Sequence, residues 1–324
     1  MKELSKVELH LHLDCSLSYA AVAQLDQSVS LEEYQREFVA PRRCTSLVDF
    51  LTRAPRGFQL MQDEAALALV VEDVFEQLAL DGVIYAEIRF APLLHLERGL
   101  TPEQVVAAVD RATETSIRSS GIDARLILCT LRHFDQEQGL VTARLVEQFR
   151  GSRVAALDIA GDEAGYPIDA HIPAFRYAID HGLHRTAHAG EARGPDSVWE
   201  TLREFQPSRI GHGVRSIEDA ALIQHLIREH IHLEVCPTSN LQTGIKQEFA
   251  EHAVDELYRA GVPLSISTDT RTITNITLTE EYRNLEEHFG WTPADLAACN
   301  QAAINAAFIE ESVKTALRER LRAA

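Results

Sequence analysis

Two histidines separated by a single residue, His10 and His12, lie in a segment where polar and apolar residues alternate. Side chains of a β-strand point alternately to opposite faces, so these imidazoles share one face with Glu8 and Asp14. Two imidazoles on one face suit a divalent metal such as zinc. The pair is weak evidence by itself, because 14 histidines in 324 residues give about 0.6 H-x-H pairs by chance.

Other residues that could complete such a site stand near the ends of later apolar segments: His188, Glu191, His212 and Asp269. The residues predicted to bind the metal are three imidazoles and one carboxylate: His10, His12, His188 and Asp269. This nitrogen and oxygen set suits zinc and retains room for a water. A second H-x-H pair, His230 and His232, stands at the entrance of a predicted strand, where barrel residues usually serve stability, and is predicted to be structural.

The elements that must position these residues are short apolar segments alternating with amphipathic ones. Strands are predicted at 7–14, 82–92, 124–131, 154–161, 184–190, 209–213, 232–239 and 264–270. Helices are predicted at 64–80, 102–119, 135–149, 216–229 and 248–260. Eight β-α repeats in 324 residues predict an α/β fold, a (β/α)8 TIM barrel forming one domain over residues 1–324. The alternative, a doubly wound sheet, would carry a G-x-G-x-x-G turn that the sequence lacks.

Two further segments extend this barrel pattern. Residues 15–81 form a long excursion after strand 1, and residues 278–321 predict extra C-terminal helices. Within the excursion, a helix start at Ser46 precedes the apolar residues Leu47, Phe50 and Leu51. Loops after barrel strands build active sites, so these three residues are candidate substrate contacts in a lid or pocket wall. Ordinary packing explains them equally well.

Composition restricts the possible partners and compartment. The formal net charge of −18 argues against a nucleic acid or an anionic membrane as partner, because both would be repelled. No apolar run is long enough to span a bilayer, and the first ten residues show no secretory signal. The five scattered cysteines read as reduced thiols. We therefore expect a cytoplasmic protein.

Together, these motifs resemble those of the adenosine deaminase family in order and spacing. The similar segments are 10–14 (HLHLD), 87–90 (EIRF), 160–163 (AGDE), 184–186 (HRT), 188–191 (HAGE), 211–213 (GHG), 234–237 (EVCP) and 267–269 (STD). The resemblance covers essentially the whole chain. It implies a barrel deaminase with one zinc per chain, held by the four residues named above. It also implies proton transfer by Glu191 and His212, a purine contact at Gly161, and ribose 5′-hydroxyl contacts at His12 and Asp14.

The chemistry of deamination at C6 of adenine agrees with these roles. Zinc lowers the pKa of a bound water to about 7, and the resulting hydroxide attacks C6. Glu191 can protonate N1, and the Gly161 amide can donate to N3. His212 can either deprotonate the water or stabilise the attacking oxygen, and Asp269 can hydrogen-bond the same water. Both roles for His212 stay open at this stage.

Two residues depart from the family pattern. Cys15 replaces a usual glycine beside the metal pocket and is interpreted as a packing thiol. Thr270 replaces a usual aspartate that contacts purine N7, which puts the details of base recognition in doubt. We expect the Thr270 hydroxyl to donate to N7, because it carries a proton at every pH.

The favoured hypothesis is hydrolytic deamination of adenosine and 2′-deoxyadenosine to inosine-type products and ammonia. A carboxylate at Asp14 would repel a phosphate, so a small-molecule nucleoside is preferred over a nucleotide. The runner-up is a sibling deaminase that acts on a modified adenosine or on adenine. Less favoured are a metal hydrolase of an ester or lactone, which would need no N1 acid such as Glu191, and a non-catalytic binding protein.

Overall fold

The computed structural model describes residues 4–323. Eight strands in that range form one parallel sheet in the order β1 to β8. They are β1 (Lys6–His12), β2 (Val83–Phe90), β3 (Asp123–Leu131), β4 (Val154–Ala160), β5 (His184–Ala189), β6 (Arg209–His212), β7 (His232–Val235) and β8 (Leu264–Ile266). The predicted (β/α)8 barrel is confirmed.

The first strand and the segment after the last one close the barrel through backbone hydrogen bonds. The Asp269 N–H donates to the His10 carbonyl at 3.0 Å, and the His12 N–H donates to the Asp269 carbonyl at 2.7 Å. The residue that completes the sheet is therefore also one of the predicted metal ligands. Barrel closure fixes the backbone of Asp269 directly beside the two histidines of β1.

Helices surround the sheet, and several lie in the excursion between β1 and β2 and after β8, as predicted. In chain order they are α1 (Tyr19–Leu25), α2 (Leu31–Glu37), α3 (Leu47–Leu51), α4 (Ala54–Phe58), α5 (Glu64–Leu80), α6 (Pro102–Ser120), α7 (Gln136–Gln148), α8 (Ile172–Asp180), α9 (Pro195–Phe205), α10 (Ala220–Arg228), α11 (Pro237–Gln242), α12 (Val254–Arg259), α13 (Arg271–Thr274), α14 (Leu278–Phe289), α15 (Pro293–Ala306) and α16 (Glu311–Ala323). Between residues 4 and 323, no helix has both the length and the apolar content needed to cross a bilayer.

The barrel interior below the predicted site is filled by charged side chains. Arg89 pairs with Asp158 at 2.9 Å and with Glu234 at 2.6 Å, and Arg209 pairs with Glu234 at 2.7 Å and with Glu87 at 2.5 Å. All five are 0–1% exposed. Buried ion pairs fix relative positions because each charge has only its partners to compensate lost hydration. This network ties the inner faces of β2, β4, β6 and β7 into one rigid floor.

Several predicted element boundaries are wrong, and each error has a local cause. The strand predicted at 232–239 ends at Val235, because Pro237 starts helix α11. The strand predicted at 264–270 ends at Ile266. The helix predicted at 216–229 is a 3₁₀ turn followed by α10, separated by Asp219, which caps α10. The helix predicted at 248–260 is also interrupted, at residues 252–253, before α12.

Candidate active site

The four predicted metal ligands come together at the carboxyl end of the barrel. His10 and His12 lie on β1, His188 lies on β5, and Asp269 follows β8, and their ligand atoms are all within 4.8 Å of one another. Asp269 Oδ1 is 3.4 Å from His10 Nε2 and 3.5 Å from His12 Nε2. Asp269 has φ +67°, a left-handed conformation that is strained for a non-glycine residue and typical of functional positions.

Carboxylates orient two of the histidines from below. His10 Nδ1 lies 2.9 Å from Glu234 Oε2, and His188 Nδ1 lies 3.1 Å from Asp158 Oδ2. A carboxylate at Nδ1 keeps the proton on that nitrogen, so the Nε2 lone pair faces the centre of the cluster. Burial opposes ionisation of Glu234, but Arg89 and Arg209 hold its pKa well below its usual range.

The free nitrogen atoms of this cluster fit a bound cation. His10 Nε2 is buried and makes no hydrogen bond with the described residues. His12 Nε2 and His188 Nε2 are 3.2 Å apart. When both rings carry their proton on Nδ1, both Nε2 lone pairs are available to one metal ion. Burial also lowers the pKa of His12 and of His188, which favours the neutral, ligating form. The donor set of three imidazoles and one carboxylate, with the Nε2 of His10 unpartnered, therefore suits a divalent metal.

Glu191 lies beside the cluster, in the turn after β5. The residue is 5% exposed, and its Oε2 is 3.7 Å from His212 Nε2. Burial, reinforced by the charges of Asp269 and Glu163, raises the pKa of Glu191 well above its usual value. This shift favours the protonated carboxyl group, which can donate its proton to a basic ring nitrogen.

The loop that carries Glu191 is shaped by another carboxylate, Glu163. Its oxygens accept hydrogen bonds from the backbone N–H groups of Gly190 at 2.7 Å, Glu191 at 3.0 Å and Arg193 at 2.9 Å, and from the Ser197 hydroxyl at 2.6 Å. Four donors on one carboxylate leave the loop little freedom. Glu163 therefore fixes the position and orientation of the Glu191 backbone.

A cavity of about 500 Å³ opens above the cluster, within the size range of small-molecule sites. Its floor is formed by the ligands His12, His188 and Asp269 together with Glu191 and His212. Its remaining wall includes mainly apolar residues: Leu47, Val48, Phe50, Leu51, Ala54, Pro55, Phe58, Ala91, Leu94, Leu131 and Ala160. Apolar walls with a polar floor suit a flat, partly apolar ligand whose reacting atom points down.

The predicted purine and ribose contacts also line this cavity. Gly161 has φ +98°, which favours glycine, and an added Cβ would come no closer than 3.6 Å to another residue, so conformation rather than space selects glycine there. Asp14 is 5% exposed and accepts a hydrogen bond from the Ala91 N–H at 3.1 Å. Burial raises the pKa of Asp14 to about 6.

The two departures from the family pattern differ in their surroundings. Thr270 is 5% exposed and lines the cavity, and its hydroxyl has no hydrogen-bond partner within residues 4–323. A buried hydroxyl without a partner is uncommon and is expected to meet a ligand. Cys15 packs against Leu47, Phe50 and Ile273, and burial raises the pKa of its thiol. Cys15 packs as the sequence suggested, and it also lines the cavity.

The three apolar residues predicted in the lid lie on α3, at the mouth of the cavity. Leu47 and Phe50 are buried, and Leu51 is partly buried against the same cluster as Cys15. Neighbouring Val48 is 51% exposed and also lines the cavity. Both expectations for this segment therefore hold in part: the residues pack together and also line the cavity.

The second H-x-H pair lies outside the site. His232 is buried at the start of β7, with Nε2 2.9 Å from the Ser265 hydroxyl, and burial lowers its pKa to about 3. Four further residues support the site, although the sequence predicted no role for them: Asp158, Glu163, Glu234 and Asn240. A signal was present for Asp158 and Glu234: each is a lone acidic residue within a predicted barrel strand and must face the interior.

Comparisons with known proteins agree with this geometry. The model of the family described as adenosine deaminase matches residues 5–324. A relative from Lacticaseibacillus paracasei, named adenosine deaminase, is 36% identical over 99% of this chain and 96% of its own length. The solved adenine deaminase of Arthrobacter aurescens has a TM-score of 0.90 at 25% identity, covering 98% of both chains. The N6-mAMP deaminase of arabidopsis has a TM-score of 0.87 at 27% identity, covering 100% of this chain and 99% of its own.

The barrel, the ligand cluster and the buried acid beside it define a metal-dependent hydrolase of the (β/α)8 class. More narrowly, the chain belongs to the adenosine deaminase family, and it is an enzyme that hydrolyses C–N bonds. The resemblance read from the sequence motifs is thereby confirmed. The partner of such an enzyme is a small molecule.

Proposed function

We propose that this enzyme deaminates adenosine and 2′-deoxyadenosine, with zinc as its metal. The observation that carries the proposal is the buried carboxyl of Glu191 on the floor of an apolar cavity, next to four convergent metal ligands. A hydrolase of esters or lactones needs no proton donor for a ring nitrogen. A purine whose C6 faces the metal would place N1 at that carboxyl.

Zinc is proposed because three imidazole nitrogens and one carboxylate oxygen are the ligand types of catalytic zinc sites. When bound, zinc would supply a nucleophile at neutral pH by lowering the pKa of water. His10, His12, His188 and Asp269 would hold it. The proposed stoichiometry is one zinc per chain.

The other residues of the site are proposed to bind and orient the purine. Glu191 protonates N1, which withdraws electrons from C6 and makes it open to attack. The Gly161 amide donates to N3, and Thr270 donates to N7. Apolar contacts from Leu47, Phe50 and Leu51 exclude water above the base, which strengthens each hydrogen bond below.

The sugar end of the cavity favours a nucleoside over a nucleotide. Asp14 and His12 are proposed to contact the 5′-hydroxyl. The imidazole of His95 lies behind Asp14, with its Nε2 4.0 Å from the Asp14 carboxylate. Burial lowers the pKa of His95 to about 4, so that ring is neutral and offers no positive charge to a phosphate. An ionised Asp14 would repel the phosphate of AMP.

A sibling deaminase acting on adenine or on a modified adenosine is the second candidate. Two observations favour it: the solved relatives are described as an adenine deaminase and an N6-mAMP deaminase, and Thr270 departs from the family pattern. We further propose a single catalytic domain and a cytoplasmic location. The latter is supported by the free state of the five buried cysteines.

The test is a panel of adenosine, 2′-deoxyadenosine, N6-methyladenosine, adenine and AMP, followed by the ultraviolet change on loss of the amine. The proposal expects the highest kcat/KM for the two unmodified nucleosides. A higher value for adenine, AMP or N6-methyladenosine would favour the second candidate. Turnover of none of the five would contradict both candidates.

The Asp14→Asn variant tests the proposed contact with the sugar. It should lose preference for adenosine over 5′-deoxyadenosine, because an amide accepts a hydrogen bond from the 5′-hydroxyl less strongly than a carboxylate does.

A further inference from the structure

Three buried side chains form a hydrogen-bonded chain behind His212. His212 Nδ1 lies 3.0 Å from Asn240 Nδ2, and Asn240 Oδ1 lies 3.2 Å from His252 Nε2. His252 Nδ1 in turn lies 3.1 Å from the backbone nitrogen of Val254. The three side chains are 0–2% exposed, so neither solvent nor bulk ions compete for these contacts.

The backbone of Val254 determines the direction of every hydrogen bond in this chain. A backbone N–H can only donate, so His252 Nδ1 must accept. A neutral imidazole has one proton, which is then on His252 Nε2. Burial lowers the pKa of His252 to about 3, so the ring is neutral near neutral pH. His252 Nε2 therefore donates to Asn240.

The same reasoning continues from Asn240 to His212. An atom that accepts from His252 must be the amide oxygen, so the amide –NH₂ of Asn240 faces His212. An –NH₂ group can only donate, which makes His212 Nδ1 an acceptor. The opposite amide orientation would set the Asn240 –NH₂ against the N–H at His252 Nε2, which would leave two donors facing each other. The proton of a neutral His212 is then on Nε2, the nitrogen 3.7 Å from Glu191 Oε2.

We propose that Asn240 and His252 are positioning residues that hold His212 with its proton on Nε2, so that His212 donates a hydrogen bond to the oxygen attacking the purine. A ring nitrogen that already carries a proton has no free lone pair, so Nε2 cannot take a second proton from water. Of the two roles that the sequence left open for His212, this selects stabilisation of the oxygen over removal of its proton. This inference depends on the proposed function only for the reaction in which His212 takes part.

The interruption of the helix predicted at residues 248–260 makes the hydrogen bond between His252 and Val254 possible. A continuous helix would engage the Val254 N–H in an intrahelical bond. Because α12 begins at Val254, its first N–H groups have no helical partner and one is free to bond His252. Similarly, α11 begins at Pro237 and carries Asn240 over the end of β6. The starts of α11 and α12, which the sequence pattern did not predict, therefore place Asn240 and His252 behind His212.

The substitution Asn240→Asp tests the proposal, because it keeps the shape and replaces the –NH₂ donor with an acceptor. The experiment uses zinc-loaded, ¹⁵N-histidine-labelled protein at about pH 9, well above the ordinary histidine pKa of about 6.5. The His212 signals are assigned by their loss in His212→Gln. In the wild type, Nε2 should carry the proton and Nδ1 should not. In Asn240→Asp, the proton should move to Nδ1.

Kinetics provide the second measurement on the same samples. With the proton on Nδ1, His212 no longer donates at Nε2, and kcat at that pH should fall by about 10²- to 10⁴-fold with a smaller change in KM. Asn300→Asp is the matched control. Asn300 is also a buried amide, 1% exposed, but it bonds Val7, Tyr282 and Leu296 instead of His212. It should leave both the His212 signals and kcat per folded molecule unchanged.

A second variant keeps the proposal testable if Asn240→Asp does not fold. His252→Ala removes the donor that orients the amide, so the His212 signals should indicate a mixture of the two tautomers. Wild-type His212 with its proton on Nδ1, or an unchanged tautomer in both variants, would overturn the proposal. The tautomer is measured in the resting protein without substrate. Failure of the wild type to deaminate any purine would contradict the proposed function and leave this measurement intact.

Discussion

Glu191 is a carboxyl group in surroundings that oppose its ionisation. It is 5% exposed, and the negative charges of Asp269 and Glu163 add to the effect of burial on its pKa. We predict that Glu191→Gln retains metal and purine binding but loses about 10²- to 10⁴-fold in kcat, the contribution of a general acid. The amide keeps the shape of the side chain and cannot deliver a proton to N1. Steady-state measurement of kcat tests the loss of turnover, and elemental analysis of the same preparation tests whether the metal is retained.

Glu218→Gln is the control for that change. Glu218 is a carboxylate near the same end of the barrel, but it pairs with Arg215 and its side chain is 46% exposed. Its kcat should stay near that of the wild type. If Glu191→Gln loses zinc and keeps its turnover per bound metal, Glu191 is a structural residue.

Thr270 tests how the purine ring is recognised. Its buried hydroxyl is without a partner in the described chain and lines the cavity, so we expect it to donate to N7. A neutral hydrogen bond is worth ~0.5–1.5 kcal/mol, or roughly 2- to 12-fold in kcat/KM. Thr270→Val keeps the shape and deletes the donor. The wild type should prefer adenosine to 7-deazaadenosine, and the variant should lose most of that preference.

Thr274→Val is the matched control at this position. Thr274 is another buried threonine, 3% exposed, and its hydroxyl bonds the Thr270 carbonyl at 2.6 Å without lining the cavity. Its preference for adenosine should be that of the wild type. An undiminished preference in Thr270→Val would mean that N7 is recognised by another group.

At the level of elements, the alternation of polar and apolar residues predicted the eight strands and several of the helices. The period of two in β1 identified which of its residues face the barrel interior, and α5 was predicted at its observed bounds, residues 64–80. The errors are at ends, where single contacts decide. Pro237 ends the predicted seventh strand, and the Val254 N–H bonds the His252 ring where a helix was expected to continue. Such contacts are made by single residues and do not repeat along the chain, so periodicity does not reveal them.

Helix α3 tests whether the mouth of the cavity depends on one helix cap. Ser46 accepts a hydrogen bond from the Asp49 N–H at 3.2 Å, and the helix is only five residues long. Ser46→Ala should cost ~1 kcal/mol of local stability, so α3 spends more time unfolded. We expect KM for adenosine to rise by up to about five-fold with kcat little changed, since the metal cluster is untouched. Steady-state kinetics measure both constants.

Ser30→Ala is the control, because it removes the same kind of cap from α2. Ser30 accepts from the Glu33 N–H at 3.1 Å and does not line the cavity. Its KM should be that of the wild type. Equal effects of the two changes on KM would show that general loosening, rather than α3, controls access.

Across the whole molecule, the metal ligands are the upper end of a charged network that extends through the barrel. Glu234 contacts His10 above and Arg89 and Arg209 below, and the Arg209 guanidinium lies 3.7 Å from the centre of the Phe308 ring near the opposite end. Helices α15 and α16 cover that end, with Ala303 and Leu317 packed in one cluster with Val7 and Leu9. Because folding assembles this network and the ligands together, metal binding and folding stability are expected to be linked.

That linkage gives a prediction for zinc and stability. A ligand that binds only the folded state adds RT ln(1 + [L]/Kd) to the free energy of unfolding, about 2.7 kcal/mol at 100 times Kd. Zinc at that concentration should therefore stabilise the wild type by about this amount in urea denaturation, and chelation should abolish activity and this stabilisation together. His12→Ala should lose most of the response, because one of four ligands is gone. His232→Ala alters the other H-x-H pair, outside the cluster, and should keep the full zinc response despite a lower stability of its own. Full activity in protein shown by elemental analysis to be metal-free would contradict the proposed mechanism, and a zinc response that survives in His12→Ala but disappears in His232→Ala would place the metal elsewhere.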